Sequence, residues 1–131
     1  MVAPMTALKP ATVQLATGGN FAVFTTLRPD GHPASQVMWV DSDGEYILIN
    51  TEKHRRKYRN VQSDPRVTVT IWESGDPYSY VEIRGVVDHI DPDPEAKLYR
   101  RLSEWYKGTA ETPDDAAQRV AIAVLPTKFS M

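Results

Sequence analysis

Apolar and polar residues alternate strictly along Arg66–Glu73, which predicts a β-strand with one face in the core. A second β-rich segment covers residues 21–27 and ends in Arg28-Pro29-Asp30-Gly31, a turn sequence with proline early and glycine last. Four further strands are predicted over residues 33–40, 45–51, 78–90 and 120–126.

Short turns separate the first three predicted strands. Arg28-Pro29-Asp30-Gly31 joins the first to the second, and Asp41-Ser42-Asp43-Gly44 joins the second to the third. Strands joined by turns this short usually pair antiparallel, so we expect two successive hairpins. Gly85, inside the strand over residues 78–90, predicts a bulge or a close approach of another chain segment.

Helical character is weak over the first fifteen residues and clearer in two segments between strands. Residues 53–63 contain no glycine or proline, and Asp64-Pro65 ends the helix because the residue before proline avoids the α region. A second helix, entered through the acids and prolines of residues 91–95, ends near Gly108 and presents one apolar stripe. Residues 114–119 predict a further short helical turn. The apolar stripe of the helix that ends near Gly108 consists of Leu98, Leu102, Trp105 and Tyr106.

These elements predict a fold that is mainly β with α insertions, namely a small six-stranded, mostly antiparallel β-barrel or strongly curved sheet. The length of 131 residues fits a single domain over residues 1–131. No cysteine is present, which excludes disulfides and thiolate metal sites and fits a reducing compartment. No apolar run approaches a membrane span, and the first ten residues do not resemble a signal peptide. We therefore expect a cytoplasmic protein without a membrane partner.

Positive charge is concentrated in the run Lys53-His54-Arg55-Arg56-Lys57-Tyr58-Arg59. The run holds five of the fifteen lysines and arginines, whereas the whole chain has seventeen acids and a net charge of −2. Because like charges this close repel, a bound anion is the obvious reason for the cluster. In a regular helix Lys53 would stack on Lys57, and Arg55 on Arg59, at i, i+4 spacing.

Three interpretations of this basic run are open. A helix that begins directly after the strand ending in Asn50-Thr51 would present its N-terminus, two guanidinium groups and the Thr51 hydroxyl to a phosphate. A solvated helix face is equally compatible with the pattern. A nucleic-acid surface is disfavoured, because the rest of the chain is acidic and no strand carries closely spaced exposed aromatic residues.

The chain has no self-sufficient catalytic set. His32, His54 and His89 are scattered and lack a known ligand spacing, so we expect no metal site. There is no Gly-x-Ser-x-Gly motif and no cysteine nucleophile, and the paired aspartates resemble turn and cap residues. An enzyme of this composition would take its chemistry from a cofactor.

The order of elements resembles a known family. A Pro-Asp-Gly-His-Pro hairpin, two strands and the sequence Lys57-x-Arg59-Asn60, followed by Asp64-Pro65-Arg66-Val67, are similar to the split β-barrel, FMN-binding type superfamily that includes pyridoxamine 5′-phosphate oxidase. Within it, the chain most resembles the actinobacterial deazaflavin-dependent reductases that use coenzyme F420. The similarity runs over residues 16–124.

This resemblance implies a homodimeric oxidoreductase that binds coenzyme F420 in a cleft between subunits and passes hydride to an unsaturated organic acceptor. The resemblance places the cofactor phosphate on the basic residues and the ring on two strands, while the partner subunit closes the cleft around residues 72–80. The implied cofactor-binding residues are Gln36, Val37, Met38, Trp39, Asn50, Thr51, Arg55, Arg56, Lys57, Trp72 and Tyr78. No catalytic residue is implied.

One departure from the family bears on substrate and cofactor. The C-terminal stretch from Val124 to Met131 lacks the arginine- and histidine-rich substrate-binding sequence of the oxidase branch, which argues against pyridoxamine phosphate. FMN remains the alternative cofactor, since a flavoprotein of the same fold would share the phosphate site. A cofactor carrier without turnover is the third possibility, while specificity for the acceptor resides in loops that the pattern does not identify.

Overall fold

The computed structural model describes residues 7–130. Seven antiparallel strands form one curled sheet in the order β2-β1-β5-β6-β7-β4-β3. The predicted fold class is confirmed, with one strand more than the six expected. The strands are β1 Ala22–Leu27, β2 Pro33–Met38, β3 Asp41–Ser42, β4 Ile47–Glu52, β5 Arg66–Glu73, β6 Asp76–Pro92 and β7 Arg119–Ser130.

Within residues 7–130, one helix precedes β1, and two helices and one short 3-10 turn lie between later strands. They are α1 Pro10–Ala16, α2 Arg56–Ser63, α3 Lys97–Lys107 and the 3-10 turn Ala116–Gln118. The predicted helical character of residues 1–6 lies outside the described residues, and α1 falls within the rest of that segment. Within residues 7–130, no helix is long and apolar enough to cross a membrane.

The core lies on the concave side of the sheet. Alternate residues of β5, namely Val67, Val69 and Ile71, are buried, as the strict alternation of that strand predicts. Phe24 and Ile49 are fully buried beside them. Burying a side chain of this size contributes roughly 1.5–3 kcal/mol, so the apolar face of the sheet dominates the stability of the fold.

Gly85 marks a close approach between β6 and β7, as its position in the strand predicts. The pairing register shifts between Arg84 and Gly85, which identifies a bulge. A Cβ atom at Gly85 would lie 2.5 Å from the carbonyl oxygen of Leu125 and 2.8 Å from Cγ1 of Val124. Only glycine lets the two strands come this close.

The second predicted hairpin forms, but it does not join the two strands that were expected. Its turn joins the two-residue β3 to β4, while β2 pairs only with β1, so β2 and β4 lie near opposite ends of the strand order. The chain leaves β2 at Trp39, and the backbone N–H of Val40 donates to the hydroxyl of Tyr106 (3.2 Å) instead of a neighbouring strand. A distant side chain therefore ends β2 and separates it from β4.

The basic helix begins later than predicted. α2 starts at Arg56, and Lys53, which precedes it, lies in a turn. The expected i, i+4 stack of Lys53 on Lys57 within one helix is therefore wrong.

The C-terminal end of α2 is as predicted, because Asp64 caps the helix in an extended conformation. Hydrogen bonds from Arg66 hold the pKa of the Asp64 carboxyl at about 2, so this carboxylate stays charged at the start of β5.

The helix predicted to end near Gly108 does so. Gly108 follows Lys107 in the left-handed conformation, with φ of 83°. At the other end the carboxylate of Asp93 accepts hydrogen bonds from the backbone N–H groups of Lys97 (2.9 Å) and Leu98 (3.0 Å). These bonds satisfy two donors of the first turn of α3, which explains the acid in the helix-entry sequence.

Candidate functional site

A cavity of about 440 Å³ lies between the ends of β2 and β4 and the start of α2. Residues of β2 and of β4 both line it, and these two strands are not paired with each other, as the expected hairpin would have required. A volume of this size accommodates a cofactor-sized ligand. The lining residues are Phe21, Gln36, Val37, Met38, Trp39, Asn50, Thr51, Glu52, Arg55, Lys57, Tyr99, Leu102 and Arg119.

The cavity brings together most of the cofactor-binding residues that the sequence predicts. These are Gln36, Val37, Met38, Trp39, Asn50, Thr51, Arg55 and Lys57. Arg56 is exposed at the first position of α2, outside the lining. Trp72 and Tyr78 also lie outside it, on β5 and β6.

Tyr78 lines a second, open hollow of about 690 Å³ beside α1. This hollow contains one carboxylate, that of Glu73, and no lysine or arginine among its lining residues. It therefore lacks the charge that an anionic cofactor needs. The lining residues are Ala11, Gln14, Leu15, Gly18, Asn20, Glu73, Ser74, Tyr78, Ser79 and Tyr80.

Five lining residues were not predicted from the sequence. Glu52 could have been found as the acid three positions before Arg55, the spacing at which a carboxylate can pair with an arginine. Phe21 borders a predicted strand, but its place in a cavity has no local signal. Tyr99, Leu102 and Arg119 reach the cavity only through the packing of α3 and β7.

Lys57 is the cation of the cavity that lacks a carboxylate partner within residues 7–130. Its side chain is half-buried in the second position of α2. Burial lowers the pKa of the Lys57 ammonium below its ordinary value, and repulsion from Arg55 lowers it further. An anion bound here would favour the charged form of Lys57 and so offset both effects.

Two further groups at this end of the cavity can receive an anion. Thr51 is buried, and its hydroxyl has no hydrogen-bond partner within the described residues. A buried hydroxyl without a partner is unfavourable by about 1–3 kcal/mol, so the arrangement suits a bound acceptor. No side chain of residues 7–130 caps the N-terminus of α2, which leaves its positive end open beside Lys57.

α2 is held in place by its buried face. The side-chain amide of Asn60 donates to the hydroxyl of Thr26 in β1 (3.0 Å), and Val61 packs in the core. Asn60 belongs to the Lys-x-Arg-Asn sequence, so that asparagine fixes the helix whose first turn carries Lys57. The site is thus mounted on a helix with a defined position rather than on a loop.

Glu52 is a buried carboxylate that holds two arginines at the mouth of the same cavity. Its side chain is 8% exposed, and one oxygen pairs with Nε of Arg55 while the other lies 2.9 Å from Nη1 of Arg119 in a second ion pair. Arg119, 12% exposed, also donates to Asn50 Oδ1 (2.7 Å) and Asp115 Oδ1 (3.0 Å). A buried charge without such pairing would be strongly destabilising.

The fold also gathers three groups that could ligate a metal. The ligand atoms of Glu52, His54 and Asp115 lie within 4.8 Å of one another, although the three residues have no recognisable spacing in the sequence. The guanidinium groups of Arg55 and Arg119 already occupy these carboxylates. Their positive charge opposes a cation here, so we interpret the group as an ion-pair network.

The rings of Trp39 and Tyr99 form part of the cavity wall. Trp39 stacks on Tyr106 with ring centroids 5.1 Å apart and planes 12° from parallel, and it also contacts Tyr99 at 5.5 Å. Tyr106 is anchored by a hydrogen bond from its hydroxyl to the carbonyl of Asn20. Burial raises the pKa of Tyr106, which keeps its hydroxyl neutral. The wall can therefore pack against a planar ring.

Comparisons with known proteins identify the family and support the fold. A family model described as pyridoxamine 5′-phosphate oxidase matches residues 8–131. A solved structure named F420 reductase is 37% identical, with a TM-score of 0.84, and the match covers 94% of this chain and 98% of that one. No curated protein matches the chain.

Two solved structures of lower identity share the fold. A conserved hypothetical protein, Rv2991 from Mycobacterium tuberculosis, is 24% identical with a TM-score of 0.74, over 98% of this chain and 86% of that one. General Stress Protein 26 from Bacillus anthracis is 21% identical with a TM-score of 0.69, over 91% and 88% of the two chains. At these identities the likeness supports the architecture alone.

Proposed function

The chain belongs to the pyridoxamine 5′-phosphate oxidase family, and from this premise we propose that it is an oxidoreductase dependent on coenzyme F420 that transfers hydride to an unsaturated organic acceptor. The 37% identity to a structure named F420 reductase supports this cofactor over FMN. The observation that carries the proposal is the half-buried Lys57, which lines the cavity together with Thr51: among residues 7–130 the ammonium has no carboxylate partner and the hydroxyl has no hydrogen-bond partner.

These groups would hold the cofactor phosphate. Lys57 supplies a charge whose pKa is lowered by burial and by repulsion from Arg55, and Thr51 supplies a buried hydroxyl. Arg55 lies beside them with its terminal guanidinium nitrogens unbonded within residues 7–130. Charge-assisted hydrogen bonds of this kind are about twice as strong as neutral ones. Arg56, exposed at the mouth, would contribute at longer range.

The remaining lining would hold the ring system. Gln36, Val37, Met38 and Trp39 border one side, and Asn50 borders the other. When bound, the deazaflavin supplies the hydride chemistry, for which this chain has no catalytic set of its own. The task of the protein is to orient the ring between the two strands and to exclude water from it.

We also propose that a second copy of the chain completes the cavity. Val37 lines the cavity and is 63% exposed, and Phe21 beside it is partly exposed. Exposed apolar residues at a ligand site are typical of a surface that a partner covers. Trp72 and Tyr78 lie outside the cavity of their own chain, and Tyr78 is 91% exposed, so in this proposal they reach the cofactor of the partner subunit. We place this activity in the cytoplasm.

A side-by-side titration tests the proposal. Purified protein is titrated with coenzyme F420 and with FMN, each followed by absorbance and fluorescence, and the reduced forms are then offered to a panel of unsaturated acceptors. We expect micromolar binding of coenzyme F420, weaker binding of FMN, and reduction of at least one acceptor. Tighter binding of FMN would identify a flavoprotein instead. Tight binding without turnover would identify a cofactor carrier, and binding of neither would reject the proposal.

A further inference from the structure

We infer that Arg119 is a positioning residue, which acts through Glu52 to hold Arg55 toward the bound anion. This inference rests on the proposed function, because it concerns the same phosphate end of the cavity. Arg119 lies on β7, far along the sequence from the basic run, and its backbone is directly opposite Glu52 in the β4–β7 ladder. It thus connects the last strand to the anion site.

Three polar groups surround the guanidinium of Arg119. Nη1 donates to Asn50 Oδ1 (2.7 Å) and lies 2.9 Å from Glu52 Oε1 in an ion pair, while Nε donates to Asp115 Oδ1 (3.0 Å). The guanidinium carbon also lies 4.4 Å from the ring centroid of Tyr99. With its side chain 12% exposed, Arg119 is held by four groups from three parts of the fold, and its conformation is well determined.

Glu52 links the fixed guanidinium of Arg119 to the side chain of Arg55. One carboxylate oxygen is held by Arg119, which fixes the rotation of the carboxylate and presents the other oxygen to Nε of Arg55. Arg55 itself is more than half exposed and precedes α2 as its N-cap, so little else restrains its side chain. With Nε engaged, its two terminal nitrogens remain available to receive an anion bidentately.

A lysine at position 119 would not replace this function. Its ammonium is a point charge on a flexible stem, and it cannot reach the carboxylates of Glu52 and Asp115 and the amide of Asn50 in a fixed plane. The inference therefore predicts that geometry, not charge alone, matters at position 119. This separates a positioning role from a general electrostatic one.

The test is a double-mutant cycle on the intact protein. The dissociation constant of coenzyme F420, or of FMN if the wild type binds only that, is measured for the wild type, Arg119→Met, Arg55→Met and the double variant. Arg119→Lys is measured beside them. Arg84→Met is the control, because Arg84 forms a surface ion pair with Glu82 away from the cavity. In parallel, the Nε–H signal of Arg55 is followed by ¹⁵N NMR without cofactor, and is assigned by its loss in Arg55→Met.

We expect Arg119→Met to weaken binding about tenfold when Arg55 is present and less than about twofold when it is absent, as for residues in one network. Arg119→Lys should weaken binding nearly as much, and the Arg55 signal should shift and lose its protection from exchange in both. Three results would overturn the inference. They are an equal loss of cofactor affinity on Arg119→Met with and without Arg55, a wild-type affinity in Arg119→Lys, and an Nε–H signal of Arg55 that does not change.

Failure of the proposed function can be distinguished from failure of the inference about Arg119. If the wild type binds neither cofactor, that function is rejected, and the NMR comparison alone decides whether Arg119 positions Arg55. If Arg119→Met does not fold, the Arg119→Lys variant carries the same cycle and the same NMR comparison. The Arg84→Met control should leave both the dissociation constant and the Arg55 signal unchanged.

Discussion

Arg119 lies directly opposite Glu52 across the antiparallel β4–β7 ladder, and the two side chains form an ion pair of 2.9 Å. Through Glu52, this pair bears on which cations of the basic run have a carboxylate partner. Glu52 also holds Arg55, so two of the three cations that line the cavity are paired. Lys57 is the lining cation that has no carboxylate partner within the described residues.

Replacing Lys57 should reduce cofactor binding without reducing stability. Lys57→Met removes the hydrogen bond of a charged group, an interaction of about 1.5–3 kcal/mol, and should weaken coenzyme F420 binding by roughly tenfold or more. The free variant should be at least as stable as the wild type to urea, because the half-buried ammonium is disfavoured there. Lys53→Met, in the turn before α2 and outside the cavity, is the matched control and should change binding less than about twofold.

Cofactor binding should take up protons at alkaline pH. Burial and Arg55 lower the pKa of Lys57 in the free protein, and a bound phosphate raises it again. Between these two values the free protein has lost the proton that the complex keeps, so affinity falls as pH rises through the pKa of free Lys57. Calorimetry in two buffers of different ionisation enthalpy measures the uptake. Persistence of the same uptake in Lys57→Met would assign it to another group.

The partnerless hydroxyl of Thr51 should matter in opposite directions for stability and binding. Thr51→Val keeps the shape and removes the buried, unbonded hydroxyl, so the free protein should gain about 1 kcal/mol in urea unfolding. Its affinity for coenzyme F420 should fall about fivefold, because one hydrogen bond to the phosphate is lost. Thr51→Ser retains the hydroxyl and should bind like the wild type. A stable valine variant with unchanged affinity would show that the hydroxyl does not meet the ligand.

A charge at Val37 should prevent both self-association and binding. Val37→Asp places a carboxylate on the exposed apolar border of the cavity, where the second copy is proposed to pack. Light scattering should then give the mass of one chain, about 14.7 kDa, and cofactor affinity should fall with it. Val37→Thr conserves the shape and should remain a dimer. A wild type that is monomeric at binding concentrations contradicts the dimer proposal directly.

Gly85→Ala should destabilise the fold by about 1–3 kcal/mol. The added methyl group would lie 2.5 Å from the Leu125 carbonyl oxygen, so the two strands must move apart. Gly31→Asn is the control, since Gly31 has a φ of 85°, which asparagine tolerates, and nothing lies within 4 Å of its added Cβ. Urea unfolding should show a clearly smaller loss for Gly31→Asn. Equal losses would mean that backbone freedom, not the strand approach, requires glycine at position 85.

Much of the fold follows from local patterns. The alternation of Arg66–Glu73 corresponds residue for residue to β5, because the side-chain period of two is a property of the strand itself. Asp64-Pro65 ends α2 and Gly108 ends α3, since each acts through its own backbone preferences. The basic run could also be assigned to an anion site, because its charge stands out against an acidic chain.

Which strand the second hairpin joins to β4 could not be predicted, because the end of β2 involves a residue far away. The turn does form a hairpin, but with the short β3, since the hydroxyl of Tyr106 receives the N–H of Val40 just after β2 ends. No local preference of residues 33–51 encodes that bond. The cavity lies between the unpaired β2 and β4, so the site is found where the predicted pairing of these two strands is wrong.

By itself, the sequence determined which segments become strands and helices, where several of them end, and which segment carries the excess positive charge. These properties depend on side-chain periodicity, turn chemistry and the count of charges, all of which act over a few residues. The packing of distant segments, by contrast, decides that Arg119 faces Glu52, that Arg55 pairs with the same carboxylate, and that Lys57 has no carboxylate partner in the described part of the chain. Ion pairs and burial depend on distance in space, and the register of β4 with β7 sets that distance.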